Sequence, residues 1–264
     1  TGASGRFGSI ISKLLAEEGK NLILISRSGN ANISHLQKRV DVVDLKISLD
    51  DASSYPRKQL NVLNIISTIK QDYNVAGVVY CAGGVPYTSG DWLDRINRNL
   101  DVNVKAYLCF IMEFMDDFLR RDKGFFVSCS SIGGYGNNYD LFNFYKFPLI
   151  TITESIHHRL SIRNSNVKIF CLPICSLVDG GGTKEPIPKE DPIQYAEKLI
   201  FHLKETGVVD QPLLLSDECE GSIVGKEIIN IQKSMRIITQ KEVEHFGWSP
   251  DQEKNYFNGS IIDR

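Results

Sequence analysis

The chain has 264 residues, of which 42% are hydrophobic and 23% are charged, a composition typical of a globular protein with a sizeable core. A formal net charge of -2 excludes a general electrostatic attraction to nucleic acid or to an anionic membrane, so no partner of either kind is expected. No apolar run approaches the roughly 18 residues of a membrane span, and the N-terminus lacks a secretion-signal pattern. We therefore expect a cytoplasmic protein.

Strand-like apolar runs alternate with helix-like segments along most of the chain. The runs are 21–26, 75–84, 124–131, 167–173 and 212–216. Such alternation is typical of parallel strands joined by crossover helices. The sequence predicts an α/β protein with a Rossmann-type, doubly wound parallel sheet in a three-layer α/β/α arrangement.

The chain opens on a glycine-rich stretch, "TGASGRFGS", that leads into a helix predicted over 10–18. Glycines at this place allow a dinucleotide to approach the backbone, and the N–H groups of the helix N-terminus bind its pyrophosphate. The expected cofactor contacts are Gly2, Ser4, Gly5, Arg6, Phe7 and Gly8. The motif requires a preceding strand, which we expect to be missing from this sequence.

Arg27 follows the run 21–26, where an acidic residue would bind the hydroxyls of an adenosine ribose. A cation there pairs with a 2'-phosphate instead, and Arg6 adds a second one. The sequence therefore favours NADP over NAD, with NAD as the alternative.

The segment 102–119 is apolar nearly all round. Such a helix either contacts core on two sides or contacts core and a second subunit. Beyond the main domain, predicted over 1–235, two capping boxes indicate a small helical appendage over 236–264.

Six cysteines lie mostly inside apolar runs, where a thiol behaves as a small hydrophobic group. No CxxC pair and no His/Cys cluster at zinc spacing occurs, so we predict reduced thiols and no metal site.

Several ordered motifs resemble the short-chain dehydrogenase/reductase family over the chain up to about Ile231. They are "TGASGRFG" at the cofactor loop, "YCAGG" (80–84) for the Asn-Asn-Ala-Gly stretch, "LDVNVKAY" (100–107), "VSCSSIGG" (127–134), Lys146, Pro173, and "SIVGKEIINI" (222–231) as the last strand. The resemblance implies a small-molecule carbonyl or alcohol substrate and a homodimer or homotetramer formed through the helices at 102–119 and 149–163.

In this family a tyrosine protonates the carbonyl while hydride arrives from the nicotinamide. The resemblance gives Lys146 the role of the lysine that holds the nicotinamide ribose and lowers the pKa of that tyrosine. It assigns substrate positioning to Ser131 and the proton relay to Asn103. It also places Cys81, Ala82 and Gly83 against the cofactor.

The proton donor departs from the family pattern. With Lys146 in the lysine position, Phe142 stands where the tyrosine belongs, and phenylalanine donates no proton. Tyr145 is the first substitute, because a helix that begins late at Pro148 would leave residues 142–146 irregular. Tyr139 is the second, because in a helix that begins early it would share a face with Phe142 and Lys146.

Two further departures concern the surroundings of the site. Cys81 replaces an asparagine, which removes a polar contact near the cofactor. The segment 179–188, "DGGGTKEPIP", is either a substrate lid or a surface loop.

Three functions remain open from the sequence. The first is an NADP(H)-dependent oxidoreductase with a relocated or weakened proton donor. The second is a catalytically inactive nucleotide-binding regulatory or scaffold protein, which Phe142 favours. The third is an enzyme of nucleotide-linked sugars, which the glycine spacing favours and the short segment after Lys146 disfavours.

Overall fold

A computed structural model describes residues 1–27, 29, 33–47, 49, 59–83, 91–131, 141–174, 193, 196–197 and 199–200. All of them belong to one compact unit, Thr1–Leu215. The strands predicted at 212–216 and 222–231, the segment 179–188, the boundary after residue 235 and the appendage 236–264 lie outside the described residues. Those predictions remain predictions.

Strands and helices alternate through the described part of the chain. The strands are β1 (Leu22–Ser26), β2 (Val42–Lys46), β3 (Gly77–Tyr80), β4 (Phe125–Ser131) and β5 (Lys168–Ile174). The helices are α1 (Arg6–Glu17), α2 (Ile33–Gln37), α3 (Gln59–Asp72), α4 (Trp92–Leu100), α5 (Ala106–Arg121) and α6 (Leu141–Ile162), with a π-helical turn at Asp101–Lys105 before α5.

The strands pair in parallel in two groups, β2 with β1 and β3 with β4 and β5. The backbone at the start of the chain bonds to both groups. Ala3 N donates to Ile25 O over 3.2 Å, and Cys81 N donates to Thr1 O over 3.0 Å. The strand order therefore runs outward from Thr1 on both sides, from β1 to β2 on one side and from β3 to β5 on the other. This order confirms the predicted doubly wound α/β fold.

The strand β2 was not predicted from the sequence. Its five residues, "VVDLK", include two charges, and none of them is fully buried. A short, half-exposed strand lacks the continuous apolar run by which central parallel strands are found.

The helix predicted over 102–119 is interrupted near its start. Ala106 N donates to Asp101 O, the wider hydrogen bond of a π-turn, before α5 continues to Arg121. The buried face of α5 packs on the sheet through Tyr107, Phe110, Ile111, Phe114, Met115 and Phe118. Met112 lies on its exposed face.

The expectation of a helix that begins late at Pro148 is wrong. The helix α6 begins at Leu141 and runs through the proline. A proline inside a helix costs about 3 kcal/mol, whereas full burial of one leucine or isoleucine contributes about 1.5–3 kcal/mol. Leu149 and Ile150 are both fully buried, so packing outweighs the local cost. Among the described helices, none has the length and apolar character needed to cross a bilayer.

Candidate active site

The glycine loop is built against the carboxyl end of β3. Gly2 has a φ of +70°, and a Cβ added there would lie 2.6 Å from Ala82 N. Gly5 N donates to Gly2 O over 2.9 Å, and α1 then begins without a side-chain hydrogen bond at its N-cap. The positive end of the α1 dipole therefore lies at the carboxyl end of β3, where folds of this kind have a crevice that binds anionic groups.

Lys146 is a buried cation beside this crevice, with 5% of the residue exposed. Its Nζ donates to Cys129 O over 3.2 Å, and Ser130 Oγ donates to Lys146 O over 2.8 Å. Burial lowers the pKa of the Lys146 ammonium. Two groups at the end of β4 thus fix both the backbone and the side chain of this lysine.

Asn103 reaches the same place from the π-turn, where only 2% of the residue is exposed. Its Nδ2 donates to Asn99 O over 2.9 Å, and its buried Oδ1 has no hydrogen-bond partner among the described residues. The hydroxyl of Tyr80, at the end of β3, donates a hydrogen bond to Val102 O within the turn. The sheet therefore anchors the turn that carries Asn103.

Gly83 joins these groups to the strand end. Its φ is +120°, and an added Cβ would lie 2.3 Å from Asn103 Oδ1 and 2.6 Å from Lys146 Nζ. Glycine at this position lets an amide oxygen and an ammonium approach the backbone from two different helical segments.

Tyr145 lies next to Lys146 in α6 but occupies a different environment. The residue is 1% exposed, and burial raises the pKa of its phenol while Arg95 and a hydrogen bond with Asn99 lower it. The phenol thus faces α4 and keeps its proton at neutral pH.

The remaining predicted residues are placed only in part. Ser131 ends β4 opposite Ile174, and residue 142 lies one helical turn before Lys146, but neither side chain is among those described. The same holds for the side chain of Arg6, the first residue of α1, and all of Tyr139 lies outside the described residues. Arg27 directly follows β1 and is exposed.

Ser4 is exposed in the glycine loop, and Phe7, the second residue of α1, is buried in the core. The structure thus brings the glycine loop, Cys81, Ala82, Gly83, Asn103 and Lys146 to one edge of the sheet.

Sequence reasoning missed three residues that position the site. Tyr80 and Ser130 act through the hydrogen bonds given above, and Asn99 contacts both Asn103 and Tyr145. Tyr80 and Ser130 stand at strand ends beside predicted site residues, and that adjacency was the signal available for finding them.

The model of the short chain dehydrogenase family matches residues 1–182. The chain belongs to this family. Short-chain dehydrogenases of this type are oxidoreductases that use NAD or NADP. The residues at the sheet edge fit such a dinucleotide, since α1 points its N-terminus at the crevice and the buried Oδ1 of Asn103 lies unbonded near the Lys146 ammonium.

Relatives agree with this assignment. An uncharacterized oxidoreductase of Staphylococcus saprophyticus is 23% identical over 223 residues, which cover 80% of this chain and 92% of that protein.

Solved structures share the fold. A short-chain dehydrogenase from Sphingobium yanoikuyae in complex with NADPH has a TM-score of 0.69 at 13% identity, with 90% of this chain and 93% of that one covered. A short-chain dehydrogenase from Streptomyces avermitilis has a TM-score of 0.67 at 14% identity, with 92% and 94% covered.

Proposed function

We propose that this short-chain dehydrogenase is an NADP(H)-dependent oxidoreductase that acts on a small carbonyl or alcohol substrate with a weakened or relocated proton donor. The observation that carries the proposal is the buried Lys146 ammonium beside Asn103 and Gly83, at the carboxyl ends of β3 and β4. The buried Oδ1 of Asn103, which has no hydrogen-bond partner among the described residues, would accept a hydrogen bond from a ribose hydroxyl of a dinucleotide there.

When bound, the dinucleotide would supply the hydride that reduces the substrate carbonyl. Around it, the first turn of α1 would bind the pyrophosphate, and Lys146 with Asn103 would orient the nicotinamide ribose. Ser131, at the end of β4, would hold the substrate oxygen.

The preference for NADP rests on Arg27, which is the first residue after β1. An exposed guanidinium there matches a 2'-phosphate, whereas no acidic side chain stands at this position to bind ribose hydroxyls. The Sphingobium relative, which shares the fold, is described in complex with NADPH.

The proton donor is proposed to be weak because residue 142 is phenylalanine. Tyr145 is the phenol nearest in sequence to Lys146, and its burial against Asn99 keeps it protonated. Delivery of that proton to a substrate would require the phenol to leave its buried position. A missing or misplaced general acid lowers turnover by about 10²- to 10⁴-fold.

The test measures NADPH oxidation with a panel of aldehydes and ketones for the parent chain, for Phe142→Tyr and for Phe147→Tyr. Phe147 lies in the same helix and is 44% exposed, so its variant adds a phenol away from the site. We expect Phe142→Tyr to raise turnover by about 10²-fold and Phe147→Tyr to leave it unchanged.

Equal activity in all three proteins would contradict a missing acid. NADPH binding without turnover in any of them would instead favour a nucleotide-binding regulatory protein.

We also propose that α5 and α6 form a subunit contact in a homodimer or homotetramer. Both helices expose large apolar side chains, namely Met112, Phe147 and Ile162. Light scattering on a sizing column should report a dimer or tetramer for the parent chain and a smaller species for Met112→Glu. A monomeric parent chain would contradict the proposal.

A further inference from the structure

Two cysteines face each other across neighbouring strands at the floor of the site. Tyr80 pairs with Ser128 in the parallel register of β3 and β4, so Cys81 and Cys129 follow as the next pair. Their Sγ atoms are 3.5 Å apart. Neighbouring strands lie about 4.8 Å apart, and disulfides join Cα atoms separated by about 4.4–6.8 Å. At this usual strand spacing, the backbone meets the distance requirement of a disulfide.

The two thiols differ in access and in acidity. Cys81 is partly exposed, whereas Cys129 is buried. The hydrogen bond that the Cys129 thiol donates lowers the pKa of Cys81 and the Lys146 ammonium lowers it further, although burial opposes both. The same bond raises the pKa of Cys129. Cys81 is thus suited to attack an oxidant, and Cys129 to retain its proton until it attacks Cys81.

The other described cysteines lack this arrangement. Burial raises the pKa of Cys171 to about 12. Burial also raises the pKa of Cys109, which lies on α5. Neither thiol has the nucleophilic character that oxidation requires.

We propose that Cys81 and Cys129 form a reversible disulfide when the protein meets hydrogen peroxide or an organic hydroperoxide. The Cys81 thiolate attacks a peroxide oxygen, the O–O bond breaks, and the leaving hydroxide or alkoxide takes a proton, which leaves a sulfenic acid on Cys81. The Cys129 sulfur then attacks the Cys81 sulfur and expels hydroxide, which leaves as water with the thiol proton. Two thiols are oxidised, the peroxide is reduced, and a dithiol reductant reverses the change.

Bond formation would alter the dinucleotide site. The sulfur atoms must move from 3.5 Å to about 2.05 Å, so both side chains must rotate and the residues that carry them must adjust. Cys81 N donates to Thr1 O at the glycine loop, and Cys129 O accepts from Lys146 Nζ. Oxidation should therefore weaken NADPH binding by about tenfold, a typical coupling between two linked sites. This consequence rests on the proposed function.

The first experiment treats the full chain with one equivalent of hydrogen peroxide and analyses tryptic peptides by mass spectrometry. Cleavage after Lys70 and Arg95 and after Lys123 and Lys146 places the two cysteines in separate peptides. We expect these peptides to appear cross-linked, with the loss of two hydrogen atoms, and to separate after dithiothreitol.

Controls make the chemical result specific. The cross-link should be absent in Cys129→Ala and retained in Cys171→Ala, and it should form more slowly in the urea-unfolded chain, where the thiols are no longer held together. Circular dichroism identifies variants that have not folded. Cys81 oxidised only to sulfinic or sulfonic acid, or a cross-link between other cysteines, would overturn the proposal.

The second measurement compares NADPH dissociation constants of the oxidised and the reduced protein. An oxidised protein that binds NADPH as tightly as the reduced one would overturn the coupling. Failure of the reduced protein to bind NADPH would count against the proposed function. The cross-linked peptides would still show whether the disulfide forms.

Discussion

Polar side chains have different surroundings at the amino ends and at the carboxyl ends of the sheet strands. The exposed Asp122 carboxylate, just before β4, accepts hydrogen bonds from two residues just before β5, namely from Asn166 N at 2.8 Å, Asn166 Nδ2 at 2.6 Å and Ser165 Oγ at 3.1 Å. Before β3, Lys70 pairs with Asp117 at 3.2 Å. These groups are bonded to neighbouring side chains and backbone groups.

At the carboxyl ends, polar groups are buried although their neighbours do not satisfy all of them. Lys146 is buried with a lowered pKa, and Asn103 Oδ1 has no hydrogen-bond partner among the described residues. Burial of a polar group without its partners costs free energy, so a fold retains such groups where a ligand completes them. The difference indicates that the amino end closes the fold, and it supports the proposal that the carboxyl end binds a ligand.

The largest expected effect on stability comes from filling the carboxyl end. Gly83→Ala places a Cβ at 2.3 Å from Asn103 Oδ1 with φ at +120°, whereas Gly19→Ala meets no atom within 4 Å and carries strain at a φ of +70° alone. We expect losses in the free energy of unfolding of about 2–4 kcal/mol for the first variant and about 1 kcal/mol for the second. Urea unfolding measures both, and equal losses would mean that Gly83 is not crowded by the site.

A smaller effect concerns the choice of nucleotide. Arg27→Asp removes the proposed partner of the 2'-phosphate and introduces an acceptor for ribose hydroxyls, so the ratio of NADPH to NADH affinity should fall by about tenfold or more. Arg39→Asp is a matched control, because Arg39 is exposed and lies 4.0 Å from Glu17. Fluorescence titration with both nucleotides measures the ratio, and a parent chain without preference would contradict the role of Arg27.

The smallest effect is expected at the amino end. Hydrogen bonds from Asn166 N and its side chain lower the pKa of Asp122 from its ordinary value, so the ionised residue stabilises the fold above the pKa of the unfolded chain. That contribution is lost as pH falls through the lower, folded-state pKa. Asp122→Asn keeps a residue that tolerates the φ of 45°, and it removes the charge and one of the two accepting oxygens.

Thermal melts of the parent chain and of Asp122→Asn should therefore differ slightly at pH 7 and converge in strong acid. A difference that grows on acidification would reverse the predicted sign.

The sequence predicted the fold class because apolar runs such as 75–84 and 124–131 mark central parallel strands. The polar and partly exposed β2 gave no such signal. Of the two starts of α6 that the sequence left open, the late one at Pro148 is wrong. Pro148 acts locally, whereas Leu149 and Ile150 stabilise the helix through tertiary packing that no local rule contains.

Part of the candidate site was predicted from the order of the motifs. The rest depends on contacts that form only in the folded chain. Gly2, Asn103 and Lys146 stand in recognisable motifs, and the structure brings them to one edge of the sheet. The hydrogen bond of Tyr80 to the π-turn and the facing thiols of Cys81 and Cys129 depend on strand register and helix geometry. Sequence alone does not specify these distances.

Calorimetry tests most directly whether the carboxyl ends of the strands bind the dinucleotide. It gives the NADPH dissociation constants of the parent chain, Lys146→Met and Lys70→Met. Both variants remove one ammonium, from the carboxyl end and from the amino end respectively. The account predicts binding by the parent chain, a weakening by about 10- to 100-fold in Lys146→Met, and no change in Lys70→Met. Absent binding by the folded parent chain, or an equal effect of the two substitutions, would contradict it.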